Sequence, residues 1–258
     1  MSGDSIVFDR AVEYYDRTRA LPAEVQAQVT DLLVERLQGR GRVLELGVGT
    51  GRMALPLHER GIDLVGVDLS EAMMRRLVEN VGGAMPFPLV CGDGLAIPLP
   101  DGAVGAAYLC HVLHLIPHWQ DVVAELVRVV VPGGVVLIDL GGTPTLVGRE
   151  LSDAFYRFAG LENARPGCTD PDALDRVMVG HRAVPRLLPA LRFSPGYTID
   201  SLLERFQSNV FSSTWSLTDE ARSDAVARTR AWAAERFGDL GVRRNESIAI
   251  QWRAYELA

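Results

Sequence analysis

A short apolar run that ends in closely spaced glycines constrains this chain more than any other feature. Residues 43–46 read VLEL, and Gly47, Gly49 and Gly51 follow at every second position. Glycine directly after a buried strand permits a tight turn and a close approach of the backbone to a ligand. Exposed backbone N–H groups at the start of the next helix favour an anionic group. The pattern therefore predicts a strand, a glycine turn and a helix that together border a bound ligand.

The spacing of these glycines differs from that of dinucleotide-binding proteins. Their fingerprint is G-x-G-x-x-G, which would place the third glycine at position 52. That position is Arg52, and the chain reads G-x-G-x-G instead. A bulky side chain where strand, helix and pyrophosphate should meet counts against NAD. A glycine turn taken alone is also compatible with an ordinary turn in an α/β protein.

Strand and helix patterns alternate through the first half of the chain, after a helical lead at about residues 9–38. Helices are predicted at 50–60, where Pro56 indicates a kink or a late start, after Ser70 as an N-cap, and at 121–131. Apolar strands separated by helices predict a doubly wound α/β fold with a parallel sheet. Ligands then belong at the carboxyl ends of the strands. The predicted strands are 43–46, 64–67, 87–91, 104–110 and 135–140.

The regular alternation stops in the second half. Residues 144–196 lack clear strand patterns, so the segment 144–208 is predicted to be a mostly helical insertion. A helix is expected at 218–237, whereas 209–217 and 246–257 alternate like strands. The predicted parts are an α/β core with the helical lead at 1–143, the insertion at 144–208, and C-terminal strands and a helix at 209–258 that complete the sheet.

The composition excludes several classes of function. A chain of 258 residues suits one large domain or a domain with an inserted cap, and 26 basic against 33 acidic residues disfavour nucleic acid as a partner. Every basic residue is Arg, so Schiff-base chemistry and a P-loop ending in Gly-Lys are excluded. Cys91, Cys110 and Cys168 show neither metal-ligand spacing nor a disulfide framework, and no metal is expected. No membrane span or signal peptide is predicted, so a cytoplasmic location is expected, and the oligomeric state is left open.

Two carboxylates follow predicted strands at positions suited to a nucleoside. Asp68 ends the second strand, and its carboxylate can accept hydrogen bonds from both hydroxyls of a ribose. Capping of the next helix is the alternative role, but Ser70 is the better cap. Asp93 ends the third strand between two glycines, where it is either an ordinary turn residue or an acceptor for an adenine amino group.

Four segments, in this order, resemble the motifs of class I S-adenosylmethionine-dependent methyltransferases. They are VLELGVGTGR, VGVDLSEAM, CGDGLAIPLPDGAVGAAYLCHVLHLI and ELVRVVVPGGVVLID. The resemblance covers about residues 8–140 and is closest to the small-molecule group that includes the ubiquinone-biosynthesis type. It implies S-adenosylmethionine as the cofactor and a seven-stranded, mostly parallel sheet whose last strand is antiparallel.

The resemblance also implies roles for individual residues. The glycines and Glu45 would border the methionine part of the cofactor, and Asp68 would hold the ribose. Leu69 and Met73 would flank the adenine, while the methyl group would lie next to the residues that follow the fourth strand. The implied cofactor-binding set is Tyr15, Arg19, Glu45, Gly47, Gly49, Gly51, Asp68, Leu69, Met73, Asp93, Gly94, Leu95, Cys110 and His111, with Tyr15 and Arg19 closing over the cofactor.

Methyl transfer from a sulfonium depends mainly on holding acceptor, methyl and sulfur in line, with water excluded. An oxygen or carbon acceptor still has to lose a proton, and His111 and His114 are the candidate bases because imidazole titrates near neutral pH. Packing and loop hydrogen bonding are the alternative roles, above all for His114. The chain lacks the Asn/Asp-Pro-Pro-Tyr/Phe signature of methyltransferases that act on amino groups of nucleobases or protein glutamine.

The expected function is methyl transfer to oxygen, nitrogen or carbon of a small-molecule acceptor, with the segment 144–208 covering the substrate. Two alternatives use the same cofactor site. The chain would be either a non-catalytic S-adenosylmethionine-binding protein or the same fold redirected to a non-methylating reaction such as a cyclisation. A dinucleotide enzyme is the remaining hypothesis.

Overall fold

The computed structural model describes residues 7–141, 145–161 and 166–258. The chain divides into two compact units, each built from separate stretches of sequence. The first unit consists of Met1–Gly141, Pro166–Leu191 and Gln251–Ala258, and the second of Gly142–Arg165 and Arg192–Ile250.

Helices and strands alternate in the first unit, whereas most of the regular structure in the second is helical. The α-helices are α1 (Tyr15–Arg19), α2 (Ala23–Leu37), α3 (Ala54–Glu59), α4 (Glu71–Asn80), α5 (Trp119–Val129), α6 (Leu146–Ala159), α7 (Pro171–Gly180), α8 (Ile199–Gln207) and α9 (Asp219–Phe237). The strands are β1 (Val43–Leu46), β2 (Leu64–Asp68), β3 (Leu89–Cys91), β4 (Val104–Cys110), β5 (Val130–Asp139), β6 (Val184–Leu187), β7 (Leu191–Phe193), β8 (Gly196–Tyr197), β9 (Arg244–Asn245), β10 (Ile248–Ile250) and β11 (Arg253–Glu256). Short 3-10 helices occur at Asp9–Ala11, Leu113–Leu115 and Ser212–Thr214.

A seven-stranded sheet organises the first unit, in the order β3-β2-β1-β4-β5-β11-β6. The pairs from β3 to β5 are parallel. The last strand of the chain, β11, is antiparallel to both of its neighbours, β5 and β6. The prediction of a mostly parallel, doubly wound sheet with an antiparallel last strand is confirmed.

Apolar strands at the centre of the sheet are buried on both faces, as their continuous hydrophobic sequences predict. All four residues of β1 are buried, and so are most residues of β4 and the second half of β5. Helix α5 covers this region with Val122, Val123, Leu126 and Val129, which share one helical face at spacings of three and four. This packing fixes the carboxyl ends of the strands, where the candidate site lies.

The fifth strand begins earlier than predicted. Helix α5 ends at Val129, and β5 starts at Val130 instead of residue 135. The pairing of β4 with β5 shifts between Val104 and Ala106, so the intervening Pro-Gly-Gly forms an irregularity within the strand. Gly133 has φ +76, and a Cβ at Gly134 would lie 2.7 Å from the carbonyl oxygen of Gly105. The Pro-Gly-Gly segment therefore marks a bulge within the strand.

Two predictions about the second half are wrong. Residues 144–196 do contain strands, because β6 and β7 lie there, and β6 belongs to the seven-stranded sheet. All four residues of β6 are exposed and one is Pro185, so the strand has no apolar alternation to recognise. Residues 209–217 form no strand but contain a 3-10 helix. The hydroxyl of Thr214 donates to Asn209 Oδ1 at 2.6 Å and to the carbonyl of Phe211 at 2.7 Å, local bonds that compete with extended backbone.

Two helix predictions are refined. Pro22 divides the helical lead into α1 and α2, and the segment predicted at 50–60 becomes helical only at Ala54, the late start that Pro56 indicated. Ser70 is the N-cap of α4, since its hydroxyl accepts a hydrogen bond from the backbone N–H of Met73.

Among the described residues, no helix combines the length and hydropathy that crossing a membrane requires.

In the second unit, helices α6, α8 and α9 share one apolar cluster. The rings of Phe155 and Phe206 stack with centroids 4.2 Å apart, and Phe211 tilts against Phe206. Thr218 caps α9 by accepting from the backbone N–H of Ala221. The proposed covering of the substrate by residues 144–208 stays a prediction.

Candidate active site

A cavity opens at the carboxyl ends of the parallel strands in the first unit. It contains about 740 Å³ of empty space, part of which is open to solvent. Five segments supply its walls: the N-terminal segment, the turn after β1, and the loops after β2, β3 and β4. The lining residues are Phe8, Tyr15, Leu46, Gly47, Gly49, Asp68, Leu69, Met73, Gly92, Asp93, Gly94, Cys110, His111, Val112, Leu115 and Ile116.

The glycines after β1 do different things. Gly47 and Gly49 line the cavity with φ of +77 and +52, in the left-handed region that favours glycine. A Cβ at Gly47 would come within 2.5 Å of Val112 Cγ2, so the turn and the loop after β4 approach closely only because no side chain intervenes. Gly51 does not line the cavity. A Cβ there would lie 2.8 Å from Leu55 and Leu77, so this glycine permits helix packing behind the turn.

Asp68 stands at the end of β2 with its carboxylate fixed by backbone N–H groups. Its Oδ2 accepts from Gly49 N at 2.7 Å, and its Oδ1 accepts from Ser70 N at 2.8 Å. Burial raises the pKa of Asp68, against these backbone bonds. Each carboxylate oxygen keeps acceptor capacity for a ligand hydroxyl.

Asp93 is a turn residue that also lines the cavity, and its role as an acceptor for an adenine amino group stays a prediction. Its Oδ1 accepts from Leu95 N at 3.0 Å, as in a turn, while the residue also lines the cavity together with Gly94. Leu95 itself is not among the lining residues.

Glu45 lies below the cavity and not on its wall. It is 3% exposed, and its Oε2 accepts from the Tyr108 hydroxyl at 2.7 Å. Burial raises the pKa of Glu45 to about 8, against the hydrogen bond from Tyr108 and the charge of Arg52.

The ends of β4 and β5 bring a thiol, an imidazole and a carboxylate together. Cys110, His111 and Asp139 each place a side-chain heteroatom within 4.8 Å of the other two. The Arg52 guanidinium donates to Cys110 Sγ at 3.3 Å, yet burial raises the pKa of this thiol to about 12, so it is neutral at pH 7. A neutral buried thiol is a poor nucleophile.

Hydroxyl–carboxylate hydrogen bonds hold the N-terminal segment beside the cavity. Ser70 Oγ donates to Asp9 Oδ1 at 2.5 Å, and Thr50 Oγ1 donates to Asp16 Oδ1 at 2.5 Å. These contacts place Tyr15 on the cavity wall, where burial raises the pKa of its phenol against the charge of Arg52. Arg19 is not a lining residue.

Most of the residues that the sequence singled out meet in one place, but His114 does not. It belongs to the 3-10 helix after β4, and its backbone carbonyl accepts from Gly167 N at 3.1 Å. This backbone contact assigns no role to the imidazole, so both roles considered for His114 stay predictions. The predicted residues outside the lining are Arg19, Glu45, Gly51, Leu95 and His114.

Several residues of the site were missed. Val112, Leu115 and Ile116 form an apolar wall directly after β4. Asp139 carried the same signal as Asp68, a carboxylate at the carboxyl end of an apolar strand. The other residues missed by sequence reasoning are Phe8, Leu46, Arg52 and Gly92.

Residues 44–138 match a protein family described as "Methyltransferase domain". This stretch holds β1 to β5 and nearly all of the cavity wall. Residues 44–138 of the chain therefore form a methyltransferase domain. The resemblance inferred from the sequence motifs is thereby confirmed.

Two curated relatives align with this methyltransferase domain and its surroundings. A malonyl-acyl-carrier-protein O-methyltransferase of Xylella fastidiosa is 26% identical over 179 residues, which are 67% of this chain and 59% of the relative. A demethylmenaquinone methyltransferase of Thermus thermophilus is 36% identical over 112 residues, or 42% of this chain and 49% of the relative. The aligned part spans about half the length of these relatives.

The solved structure of the cyclase SpnF shares the fold, with a TM-score of 0.55 and 19% identity, covering 93% of this chain and 84% of that one. Because a cyclase carries the same architecture, the fold alone does not determine the reaction of the methyltransferase domain. The residues of the cavity have to carry that argument.

Proposed function

We propose that this chain is an S-adenosylmethionine-dependent methyltransferase that acts on a small-molecule acceptor. The observation that carries the proposal is the Asp68 carboxylate, which is held by Gly49 N and Ser70 N beside the glycine turn. A fixed acceptor pair at the end of the second strand suits the two hydroxyls of a ribose. The net charge of −7 fits a small-molecule acceptor in the cytoplasm better than a nucleic acid.

The proposed cofactor extends along the cavity from β3 to β4. Its adenine lies between Leu69 and Met73, with Asp93 and Gly94 at the edge of the base, and its ribose is bound by Asp68. Its methionine part lies over the glycine turn, with Glu45 and Gly51 behind it and Tyr15 and Arg19 on the N-terminal side. The sulfonium methyl then faces Cys110 and His111, next to the apolar wall.

The transfer itself is an in-line displacement. The acceptor atom attacks the methyl carbon, the carbon–sulfur bond breaks, and its electron pair remains on sulfur to give neutral S-adenosylhomocysteine. The protein contributes orientation and a wall of Val112, Leu115 and Ile116 that excludes water from the reacting atoms.

Titration calorimetry and product analysis test the proposal together. S-adenosylmethionine should bind, and S-adenosylhomocysteine should be released with a panel of acceptors that includes malonyl-acyl-carrier protein and demethylmenaquinone. Asp68→Ala should weaken cofactor binding by about 1–3 kcal/mol, because charge-assisted hydrogen bonds to the ribose are lost. The exposed Asp63→Ala is the matched control and should bind normally, with circular dichroism establishing that both variants fold.

Other outcomes separate the competing functions. Cofactor binding without turnover of any acceptor would favour a non-catalytic binding protein. Conversion of a substrate without consumption of cofactor would favour a redirected reaction. Equal cofactor affinity in Asp68→Ala and the native protein would remove Asp68 from the site and leave the proposal without its main support.

A further inference from the structure

A buried carboxylate next to the proposed methyl position has no role in the function described so far. Asp139 is the last residue of β5 and is 2% exposed. Its Oδ2 lies 3.2 Å from His111 Nε2, and its Oδ1 accepts from Gly141 N at 3.0 Å. The carboxylate is therefore held from one side by backbone and faces an imidazole on the other.

The backbone of His111 is also adapted to this contact. Its φ is +60, a left-handed conformation that few residues other than glycine adopt. The backbone N–H of His111 donates to the carbonyl oxygen of Asp139 at 2.9 Å, so main chain and side chain contact the same partner. Strain of this kind persists where the surrounding structure determines the conformation, and it concentrates at functional sites.

The contact determines which ring nitrogen can act as a base. A neutral imidazole whose Nε2 faces a carboxylate carries its proton on Nε2, and its basic lone pair is then on Nδ1. The His111 side chain is 37% exposed and lines the cavity, so the ring is accessible to an acceptor. The pKa of Asp139 is lowered, because the hydrogen bond and charge of His111 outweigh the effect of burial, so Asp139 is ionised at neutral pH.

We propose that Asp139 is a positioning residue that makes His111 Nδ1 the general base for an acceptor hydroxyl group. The proposal rests on the methyltransferase function proposed above and names its substrate class. Nδ1 takes the proton of the hydroxyl, the oxygen electron pair forms the bond to the methyl carbon, and the carbon–sulfur pair stays on sulfur. The products are a methyl ether, S-adenosylhomocysteine and an imidazolium, which Asp139 stabilises until its proton passes to solvent.

Among oxygen and nitrogen acceptors, a hydroxyl group is the one that needs this arrangement. A neutral amine already has a nucleophilic lone pair, and a carboxylate is already ionised, so neither requires a base before attack. Phenols have pKa values near that of tyrosine, about 10, and stay protonated at pH 7. The wall of Val112, Leu115 and Ile116 beside His111 suits the apolar body of such a compound.

Other titratable groups near the pair do not compete for this role. Cys110 is the only other side chain in the cluster with Asp139 and His111 among the described residues, and its thiol is neutral. Arg52 contacts Cys110 and stays protonated, so it cannot accept a proton. Burial raises the pKa of Glu45 and of Tyr15, so each holds its proton more tightly than usual.

The first test needs no acceptor. Nitrogen-15 NMR of the full chain, with His111 assigned through His111→Gln, should show the proton of the neutral ring on Nε2. Asp139→Asn should shift part of the neutral population to the tautomer with its proton on Nδ1, because the carboxylate that accepts from Nε2–H is lost. The exposed Asp63→Asn should leave the tautomer of His111 unchanged. A proton on Nδ1 in the native chain, or an unaltered tautomer in Asp139→Asn, would overturn the proposal.

The second test uses matched acceptors, namely phenols and the corresponding anilines, together with malonyl-acyl-carrier protein. Phenols should be methylated, and Asp139→Asn should reduce kcat for them by about 100-fold with little change in KM, in line with the loss of general-base catalysis. Turnover confined to anilines or to the carboxyl compound, or no turnover of any phenol, would contradict the assignment.

Two controls distinguish this proposal from a failure of the proposed function and from a metal centre. Titration of Asp139→Asn with S-adenosylmethionine should give the native affinity, whereas failure of the native chain to bind it would reject the proposed function itself. Activity should also survive a chelator. Loss of activity with a chelator and recovery with a divalent metal would assign the three side chains to a metal centre and overturn the base mechanism.

Discussion

At the scale of single residues, two aspartates illustrate what the sequence made predictable. Asp68 was singled out because it ends an apolar strand just after the glycine turn, and its carboxylate does face the cavity. Asp139 ends an apolar strand in the same way, but no motif in the sequence assigns it a role. The role of Asp139 depends on its contact with His111, which follows a different strand. Neither this contact nor the left-handed backbone of His111 produces a local pattern in the sequence.

The glycines of the turn allow a prediction at this scale. Gly49 and Gly61 both have positive φ, +52 and +82, but only Gly49 lines the cavity, whereas a Cβ at Gly61 would meet nothing within 4 Å. Valine is strained in either backbone conformation. We predict that Gly49→Val abolishes binding of S-adenosylmethionine, because the side chain also occupies ligand space, while Gly61→Val costs stability and leaves affinity unchanged.

Calorimetry on both folded variants, with urea denaturation to measure the strain, checks this prediction. We expect both variants to lose a comparable amount of stability. Only Gly49→Val should lose affinity for S-adenosylmethionine. Native affinity in Gly49→Val would mean that the ligand does not approach the turn. Weak binding in both variants would attribute the effect to strain and not to the cavity.

At the scale of elements, the parallel strands were predictable and the rest less so. Strands β1 and β4 are continuous apolar runs closed by turn residues, and their predicted bounds agree with the structure to the residue. Strand β6 escaped prediction because its four residues are exposed and its place in the sheet depends on β11, far along the chain. Non-local pairing of an exposed edge strand leaves little trace in its own sequence.

The central strand pair carries a second prediction. Glu45 and Tyr108 are directly opposite each other in the β1–β4 pairing and share a buried hydrogen bond. Burial raises the pKa of Glu45 to about 8, against that bond. The carboxyl group therefore keeps its proton in the folded state over a pH range in which it loses the proton in the unfolded chain, where glutamate titrates near about 4.3.

The sign of the pH dependence follows from proton linkage. Below the unfolded pKa both states hold the proton, and between the two pKa values the folded state holds one more, so the free energy of unfolding falls as pH rises toward 8. We predict that Glu45→Gln, which keeps an acceptor for Tyr108, lacks this decline and gains on the order of a few kcal/mol relative to the native chain between pH 5 and pH 8. Urea denaturation of both proteins at the two pH values measures the difference, and parallel pH dependences would contradict it.

At the scale of the whole molecule, the fold and the function are separate inferences. The order of the strands fixes where a ligand binds, because the parallel strands β1 to β4 end at the cavity. It leaves the reaction open, since the cyclase SpnF has the same architecture. The choice among reactions rests on a few side chains after β4 and β5, which the motifs of the sequence only partly identified.

The last prediction concerns which ligand stabilises the folded protein. All residues that line the cavity belong to the first unit, so a ligand that binds there stabilises that unit by mass action. At a concentration 100 times its Kd, S-adenosylmethionine should add about 2.7 kcal/mol to the free energy of unfolding and raise the melting temperature by roughly 5–10 °C. NADH should produce no shift, because Arg52 occupies the third glycine position of the dinucleotide fingerprint. Scanning calorimetry with each ligand decides between them. Asp68→Ala is the control, and its loss of about 1–3 kcal/mol in affinity should remove from about a third to about nine-tenths of the shift. A larger shift with NADH would assign the cavity to a dinucleotide.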